Sequence, residues 1–458
     1  MRRLTVDEIL KATGGRLLSG SKDFGITGVS TDSRKVSAAD IFFPLKGENF
    51  DAHDFLPQVI DGGCRVIAVS REDAVTDMKG LNVILVDDTK KAMQDLAKYY
   101  LQSLNVKKLA VTGSVGKTST RDMLKAICSQ KYRTGGTVGN LNNDIGVPLT
   151  IFSFDEGLEA AVIEMGMDDA GQIRVLADIV RPDTCIITNV GISHIEHLGS
   201  REGILAAKME ITEYLGQDNA LVINQDCDML QKDRVCGAYK IVTVGSDKKN
   251  DFIISNVCDF GEEGIEFKLG CFGKEHNIRL MVPGAHNALN AGLAIAACYQ
   301  IGVDIPCAIA GLNSLELTGK RLTIREGNGI KVIDDTYNAC PDSMKSAINT
   351  LMNTKGKRKI AILGDMFELG EESPKFHRQV GEYAGEKAVD LLITVGELGK
   401  HISNGAKERL NEPRVLHFED KEKLALELAD LLKEDDVVLV KASRGMAMEE
   451  IVEKIMNE

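Results

Sequence analysis

The chain has 458 residues, 43% of them hydrophobic and 27% charged, with a formal net charge of −13 at pH 7. That length supports about two to four domains with their own cores. The acidic balance argues against a nucleic-acid-binding surface as the main business, while leaving room for local basic pockets. Ten cysteines lie scattered with no Cys-x-x-Cys pair, as buried thiols in a reducing compartment would. The N-terminus runs into Asp7 and Glu8 without an apolar signal core, and no apolar stretch approaches the roughly 18 residues of a membrane span. A cytoplasmic protein without membrane insertion is expected.

Residues 1–105 read as a small α/β domain. Strands are expected at 26–31, 40–45, 65–70 and 83–86, with amphipathic helices near 5–13 and 89–104. Asp32-Ser33-Arg34 lies between two of these strands and Lys46 follows the second. Ser33, Arg34 and Lys46 suit a ligand's phosphates, because such groups gather on loops at strand ends. An Asp-Ser-Arg turn on the surface has the same spacing, and both readings stand.

Residues 106–317 carry the strongest signal. The apolar run 109–111 leads into Thr112-Gly113-Ser114-Val115-Gly116-Lys117-Thr118-Ser119, a glycine turn opening a helix. This is the order of a phosphate-binding loop: glycines turn backbone N–H groups inward, Lys117 reaches the outer phosphates, and Thr118 can hold Mg²⁺. Val111 stands where the longer form of such loops has its first glycine, so the spacing is shortened. Asn140, Asn142 and Asn143 then suit a loop that hydrogen-bonds a polar ligand. The run 160–163 ends at Glu164 and 184–188 ends at Asn189, with His194 following. In an open parallel sheet, ligands collect beyond the carboxyl ends of the strands, which would bring Glu164, Asn189 and His194 toward the phosphate loop. A capping carboxylate and a structural histidine remain the plainer readings of Glu164 and His194. Ser200 caps a helix over 201–211, on which Lys208 reads as a solvated lysine. Residues 239–282 turn β-rich, with a hairpin at 264–269 and 277–282. His286 and Asn290 share one face of the helix that follows, where they suit either an adenine edge or core hydrogen bonds.

From 318 to 458, strands at 330–333, 359–363, 391–395, 414–418 and 437–440 alternate with helices at 343–352, 376–388, 421–432 and 448–456. Alternation with short connections predicts a doubly wound, Rossmann-like domain with a largely parallel sheet. The fold expected is therefore α/β in three domains, 1–105, 106–317 and 318–458, with short hinges near 105 and 315–320.

The phosphate loop, the segment Gly139–Pro148 and Glu164-Met165-Gly166 together resemble the Mur ligase family. Thr188-Asn189-Val190-Gly191 and the stretch His194–Ser200 resemble it too. Asp334–Met344, Gly364–Gly370 and Lys441–Met446 are similar to the member that adds a dipeptide, with Cys340 standing where asparagine is frequent and Ala442 where glycine is.

The resemblance implies an N-terminal UDP-sugar domain, a central ATP domain and a closing C-terminal domain. It implies ATP-dependent joining of D-alanyl-D-alanine to UDP-N-acetylmuramoyl-tripeptide through an acyl phosphate, by a monomer. It assigns Gly113 to Ser119, His286, Asn290, Arg321 and Asp335 to ATP, and Thr118 and Glu164 to one Mg²⁺. It assigns His194 and a carbamylated Lys208 to a second Mg²⁺, reversing the solvated reading of that lysine. Asp32, Ser33, Arg34 and Lys46 would lie at the uridine diphosphate, and Asn140, Asn142, Asn143, Tyr337 and Asn338 at the substrate. The rivals are a ligase of the same superfamily adding one amino acid or acting on folate, and a nucleotide switch without ligase activity. The Asp-Asn-Pro-Arg motif typical of the diamino-acid-adding ligase is absent.

Overall fold

The computed structural model describes residues 1–47, 50–315, 322–410 and 414–457. By packing, the chain forms two compact units, one of Met1–Ala110, Tyr132–Met167 and Gln172–Asp183, the other of Val111–Lys131, Asp168–Gly171 and Thr184–Glu458.

In the first unit, helix Val6–Thr13 starts at a capping box in which the Thr5 hydroxyl accepts from Glu8 N–H and the Glu8 carboxylate accepts from Thr5 N–H. The stretch expected as one strand over 26–31 divides. Gly25–Ile26 pairs with Leu4–Thr5, whereas Gly28–Ser30 pairs with Asp40–Phe42, because one run of chain serves two sheets. The larger sheet runs in the order Arg16–Ser19, Asn82–Leu85, Val66–Val69, Asp40–Phe42, Gly28–Ser30 and is parallel except for its first strand. Its core joins Phe42, Leu56, Val59, Ile67 and Val83, all buried. Helix Thr89–Ser103, capped by Asp88, packs on helices Gly146–Phe152 and Gln172–Val180. There the Tyr100 hydroxyl donates to Phe154 C=O at 2.7 Å and Lys98 pairs with Asp178 at 2.8 Å. Strand Ala160–Glu164 lies parallel to Thr134–Gly136.

The second unit holds two lobes. In the nucleotide lobe, strands Thr184–Ile187, Ala220–Asn224, Lys240–Gly245 and Phe252–Asp259 run parallel, and Ile265–Cys271 with Lys274–Leu280 adds the expected antiparallel hairpin. Helices Lys117–Cys128 and His286–Gln300 pack together beside them. The second of these is apolar on nearly every side and approaches the sheet closely: a Cβ on Gly292 would lie 2.7 Å from Ile254 Cδ1 and 2.9 Å from Val244 Cγ1.

The C-terminal lobe is a six-stranded sheet in the order Thr323–Gly327, Ile330–Asp334, Asp436–Lys441, Arg358–Leu363, Leu391–Val395, Val415–Phe418, parallel except at its first edge. Separate apolar clusters cover its two faces, one around Met344, Leu351 and Val380, the other around Leu424, Ile451 and Val452. This is the doubly wound arrangement the alternating pattern predicts. No helix among the described residues is long and apolar enough to cross a membrane.

Candidate functional site

The phosphate loop closes on the carboxyl end of strand Lys107–Thr112 and opens helix Lys117–Cys128. Both glycines are forced. Gly113 has φ 153° and a Cβ there would fall 1.8 Å from Thr188 Oγ1; Gly116 has φ 82° and a Cβ would fall 2.8 Å from Asn290 Oδ1. Asn189, at the end of the next strand, reaches the loop as its position suggests. Its Oδ1 accepts from Ser114 N–H at 3.0 Å and Val115 N–H at 2.9 Å. Thr188 Oγ1 donates to Val115 C=O and Gly191 N–H donates to Ser114 Oγ at 2.9 Å. Lys117 Nζ donates to Gly113 C=O at 2.8 Å, which folds the lysine back over its own loop. Two loop amides are thus held by an asparagine. The first-turn amides of the helix, which have no intrahelical acceptor, carry the positive end of its dipole.

Lys208 corrects the reading made from its residues alone. It lies on helix Arg201–Met209, capped by Ser200, yet is only 1% exposed. Burial, and then the charge of Lys117, push its ammonium well below the ordinary lysine value. His194 takes φ 63° at the start of helix Ile195–Leu198, with its Nδ1 2.6 Å from Glu368 Oε2 and 3.7 Å from Asp168 Oδ1. The approach to Glu368 is short but not aligned as a hydrogen bond.

Asn290 is buried and donates to Asn287 Oδ1 at 3.0 Å, while His286 is exposed and meets the Ser346 hydroxyl of the C-terminal lobe at 3.0 Å. Asp335 is paired: its Oδ2 lies 2.6 Å from Lys441 Nζ, which is 2% exposed and also donates to Asn338 C=O at 2.8 Å. Asn338 is exposed and Tyr337 half-buried beside it. Arg321 lies outside the described residues.

In the first unit, Glu164 is buried at its strand end and Oε1 accepts from Asn142 Nδ2 at 2.9 Å. Asn143 is spent locally, accepting from Gly146 N–H at 2.8 Å at the start of a helix, and Asn140 is exposed. Arg34 forks onto both Asp32 oxygens at 2.9 Å, which holds that carboxyl down to about 2. Ser33 is half-buried between them, and Lys46 is exposed. Among the described residues no group of three or more His, Cys, Asp or Glu is set to hold a metal ion. A cation bound chiefly through a nucleotide's phosphate oxygens needs fewer protein donors than that.

Asn189 and Glu368 are the contacts that composition could not announce. The first had a signal in its strand-end position; the second had only the motif Gly364–Gly370.

Three family models match the chain: Mur ligase family, catalytic domain, over residues 25–101; Mur ligase middle domain over 111–298; and Mur ligase, glutamate ligase domain, over 320–444. The UDP-N-acetylmuramoyl-tripeptide--D-alanyl-D-alanine ligase of Bacillus subtilis is 39% identical, covering 100% of this chain and 99% of its own. A crystal structure of MurF from Acinetobacter baumannii matches with TM-score 0.93 at 29% identity over 100% of both chains. MurF ligase from Thermotoga maritima, solved in complex with ADP, matches with TM-score 0.83 at 29% identity over 94% of this chain and 97% of that one. With the shortened loop, the strand-end residues and this end-to-end similarity together, the chain belongs to the Mur ligase family.

Proposed function

We propose that this chain is a cytoplasmic, monomeric, ATP-dependent ligase that joins D-alanyl-D-alanine to UDP-N-acetylmuramoyl-tripeptide, releasing ADP and phosphate. The observation that carries the proposal is similarity along the whole length to relatives bearing that name. The three domains are 1–105, 106–317 and 318–458, supported by the three consecutive family matches, although the second boundary falls among residues outside those described.

The tripeptide's terminal carboxylate attacks the γ-phosphorus of ATP, ADP leaves, and an acyl phosphate results. The dipeptide amine then adds to that carbonyl, and the tetrahedral adduct expels phosphate. Two anions must approach each other in the first step. Lys117 and the first-turn amides of its helix offset their repulsion and stabilise the charge that develops. Gly113, Ser114, Val115, Gly116 and Ser119 shape the cradle. Asn290, His286, Arg321 and Asp335 bind the rest of the nucleotide. Asp32, Ser33, Arg34 and Lys46 bind the uridine diphosphate, while Asn140, Asn142, Asn143, Tyr337 and Asn338 face the peptide substrates.

Thr118 and Glu164 would hold one Mg²⁺, His194 and a carbamylated Lys208 a second; bound there, Mg²⁺ supplies charge neutralisation of the phosphates. Lys208 suits this modification. Burial favours its neutral amine, the form that adds CO₂ to give a carbamate and a proton, and no described carboxylate is paired with it. The carbamate would then offer an anionic oxygen where an ammonium would repel the cation.

The test is phosphate release from ATP with the UDP-muramyl tripeptide, comparing D-alanyl-D-alanine with single amino acids. Turnover with the dipeptide alone is expected. Equal or better turnover with any single amino acid would sink the proposal.

A further inference from the structure

Glu368 belongs to the C-terminal lobe, in a motif to which the proposed reaction assigns no task, yet it meets His194 of the nucleotide lobe at 2.6 Å. We propose that Glu368 is a positioning residue: seating the C-terminal lobe sets the His194 imidazole, so the divalent-cation site is completed by both lobes. This rests on the function proposed above.

The backbone on both sides of the contact is unusual. His194 has φ 63° and Glu368 has φ 62°. Residues other than glycine adopt that left-handed conformation uncommonly, and here two of the ten described residues that do so meet each other. The two turns lie in contact. A Cβ on Gly370, itself at φ +60°, would lie 3.6 Å from Glu196 Cα, and Ile192, two residues before His194, packs against the C-terminal apolar cluster. Gly191 is equally confined, with Asp342 Oδ2 of the C-terminal lobe 3.0 Å from where its Cβ would be. The loop that presents His194 is therefore shaped from the C-terminal side.

The chemistry follows from the two ring nitrogens. A carboxylate facing Nδ1 favours the tautomer protonated there and leaves the Nε2 lone pair available to a cation. Asp168 also faces Nδ1, but at 3.7 Å and with its side chain 73% exposed, so Glu368 is the closer and less solvated influence. In this arrangement the cation site senses whether the lobes are together, and acyl phosphate is formed only behind a closed door to water.

The test is direct Mn²⁺ binding, read by electron paramagnetic resonance of the free ion, on the full chain with ADP and bicarbonate. Glu368 is 46% exposed, so its replacement leaves the core intact. Glu368→Ala is expected to weaken the His194-dependent Mn²⁺ site roughly ten-fold. Glu368→Gln, whose amide oxygen can take the carboxylate's place facing Nδ1, is expected to recover most of that loss, with the same urea midpoint in all three proteins. If His194→Ala weakens Mn²⁺ binding and Glu368→Ala does not, the positioning role is refuted and the cation site stands. If His194→Ala leaves Mn²⁺ binding unchanged, the cation assignment of the proposed function falls with it.

Discussion

Replacing Asn189 by alanine removes the side-chain oxygen that accepts from Ser114 N–H at 3.0 Å and Val115 N–H at 2.9 Å, while Ser114 N–H keeps the main-chain oxygen of residue 189 at 3.2 Å. A hydrogen bond of this kind contributes about 1 kcal/mol net, so with Ser114 N–H keeping one acceptor the side chain holds the loop by about 1 to 2 kcal/mol. The ties from Ser114 N–H to the main-chain oxygen of residue 189, from Thr188 Oγ1 to Val115 C=O and from Gly191 N–H to Ser114 Oγ persist and keep the loop attached to the strand end. The loss is therefore one of ordering: the loop must be arranged at the moment the nucleotide binds. If the whole ordering cost falls on binding, ADP affinity drops about 5- to 30-fold, since about 1.4 kcal/mol is a factor of ten. Calorimetric titration of ADP into wild type, Asn189→Ala and Asn189→Asp reads this directly. The aspartate keeps an acceptor but brings a negative charge toward the phosphates, so it should bind ADP no better than the alanine variant. An alanine variant whose ADP dissociation constant stays within about two-fold of wild type would show that Asn189 does not organise the loop.

Lys208→Ala should lose nearly all turnover, with partial recovery on adding a small carboxylate such as formate; unchanged turnover would return Lys208 to a packing role. Gly116→Ala meets both a φ of 82° and Asn290 Oδ1 at 2.8 Å, so the KM for ATP should rise at least ten-fold, the equivalent of about 1.4 kcal/mol; a KM unchanged in steady-state assays contradicts the fit. His377 is fully buried, accepts from Met366 N–H at 2.8 Å through Nε2 and meets Ser373 C=O at 2.7 Å through Nδ1, and burial lowers its pKa. Its unfolded form binds a proton that its folded form refuses, so this stability is present above about pH 6.5 and is lost as pH falls below it toward the lowered folded value. Urea midpoints should fall from pH 7.5 to pH 5.5 more steeply in wild type than in His377→Gln, and parallel slopes would exclude the histidine as the cause.

What could be read from residues alone followed the range of the interactions involved. The phosphate loop was legible because its chemistry is local: glycines, a lysine and hydroxyls in one turn. Asn189 was legible because a parallel sheet delivers its strand ends to one edge. The doubly wound C-terminal lobe was legible from alternation. Lys208 was not, since helical periodicity says which face a residue takes, not whether another part of the chain covers that face. Glu368 was hidden for a related reason: its partner is remote in sequence and only packing joins them. The short strands Leu4–Thr5 and Arg16–Ser19 carry too few residues to show alternation, and the turn at Gly25–Ser30 gives no sign that it changes sheets. Helix Gly399–Ala406 escaped notice because Gly399, Ser403, Asn404 and Gly405 are all poor helix formers that packing overrides.

The close seating of helix His286–Gln300 on its sheet has a consequence for how this enzyme tolerates change. Gly292 is a point of close approach, and Asn290, two residues earlier on the same helix, stands over Gly116. A side chain at 292 must push aside Ile254 Cδ1 and Val244 Cγ1 or lift the helix, and a lift would be transmitted to the amide proposed to bind the nucleotide. A position deep in the hydrophobic interior is thus joined by one helix to a residue proposed to bind the nucleotide. Variation at its contacts with Ile254 and Val244 would register first as altered ATP affinity, ahead of any measurable loss of folding.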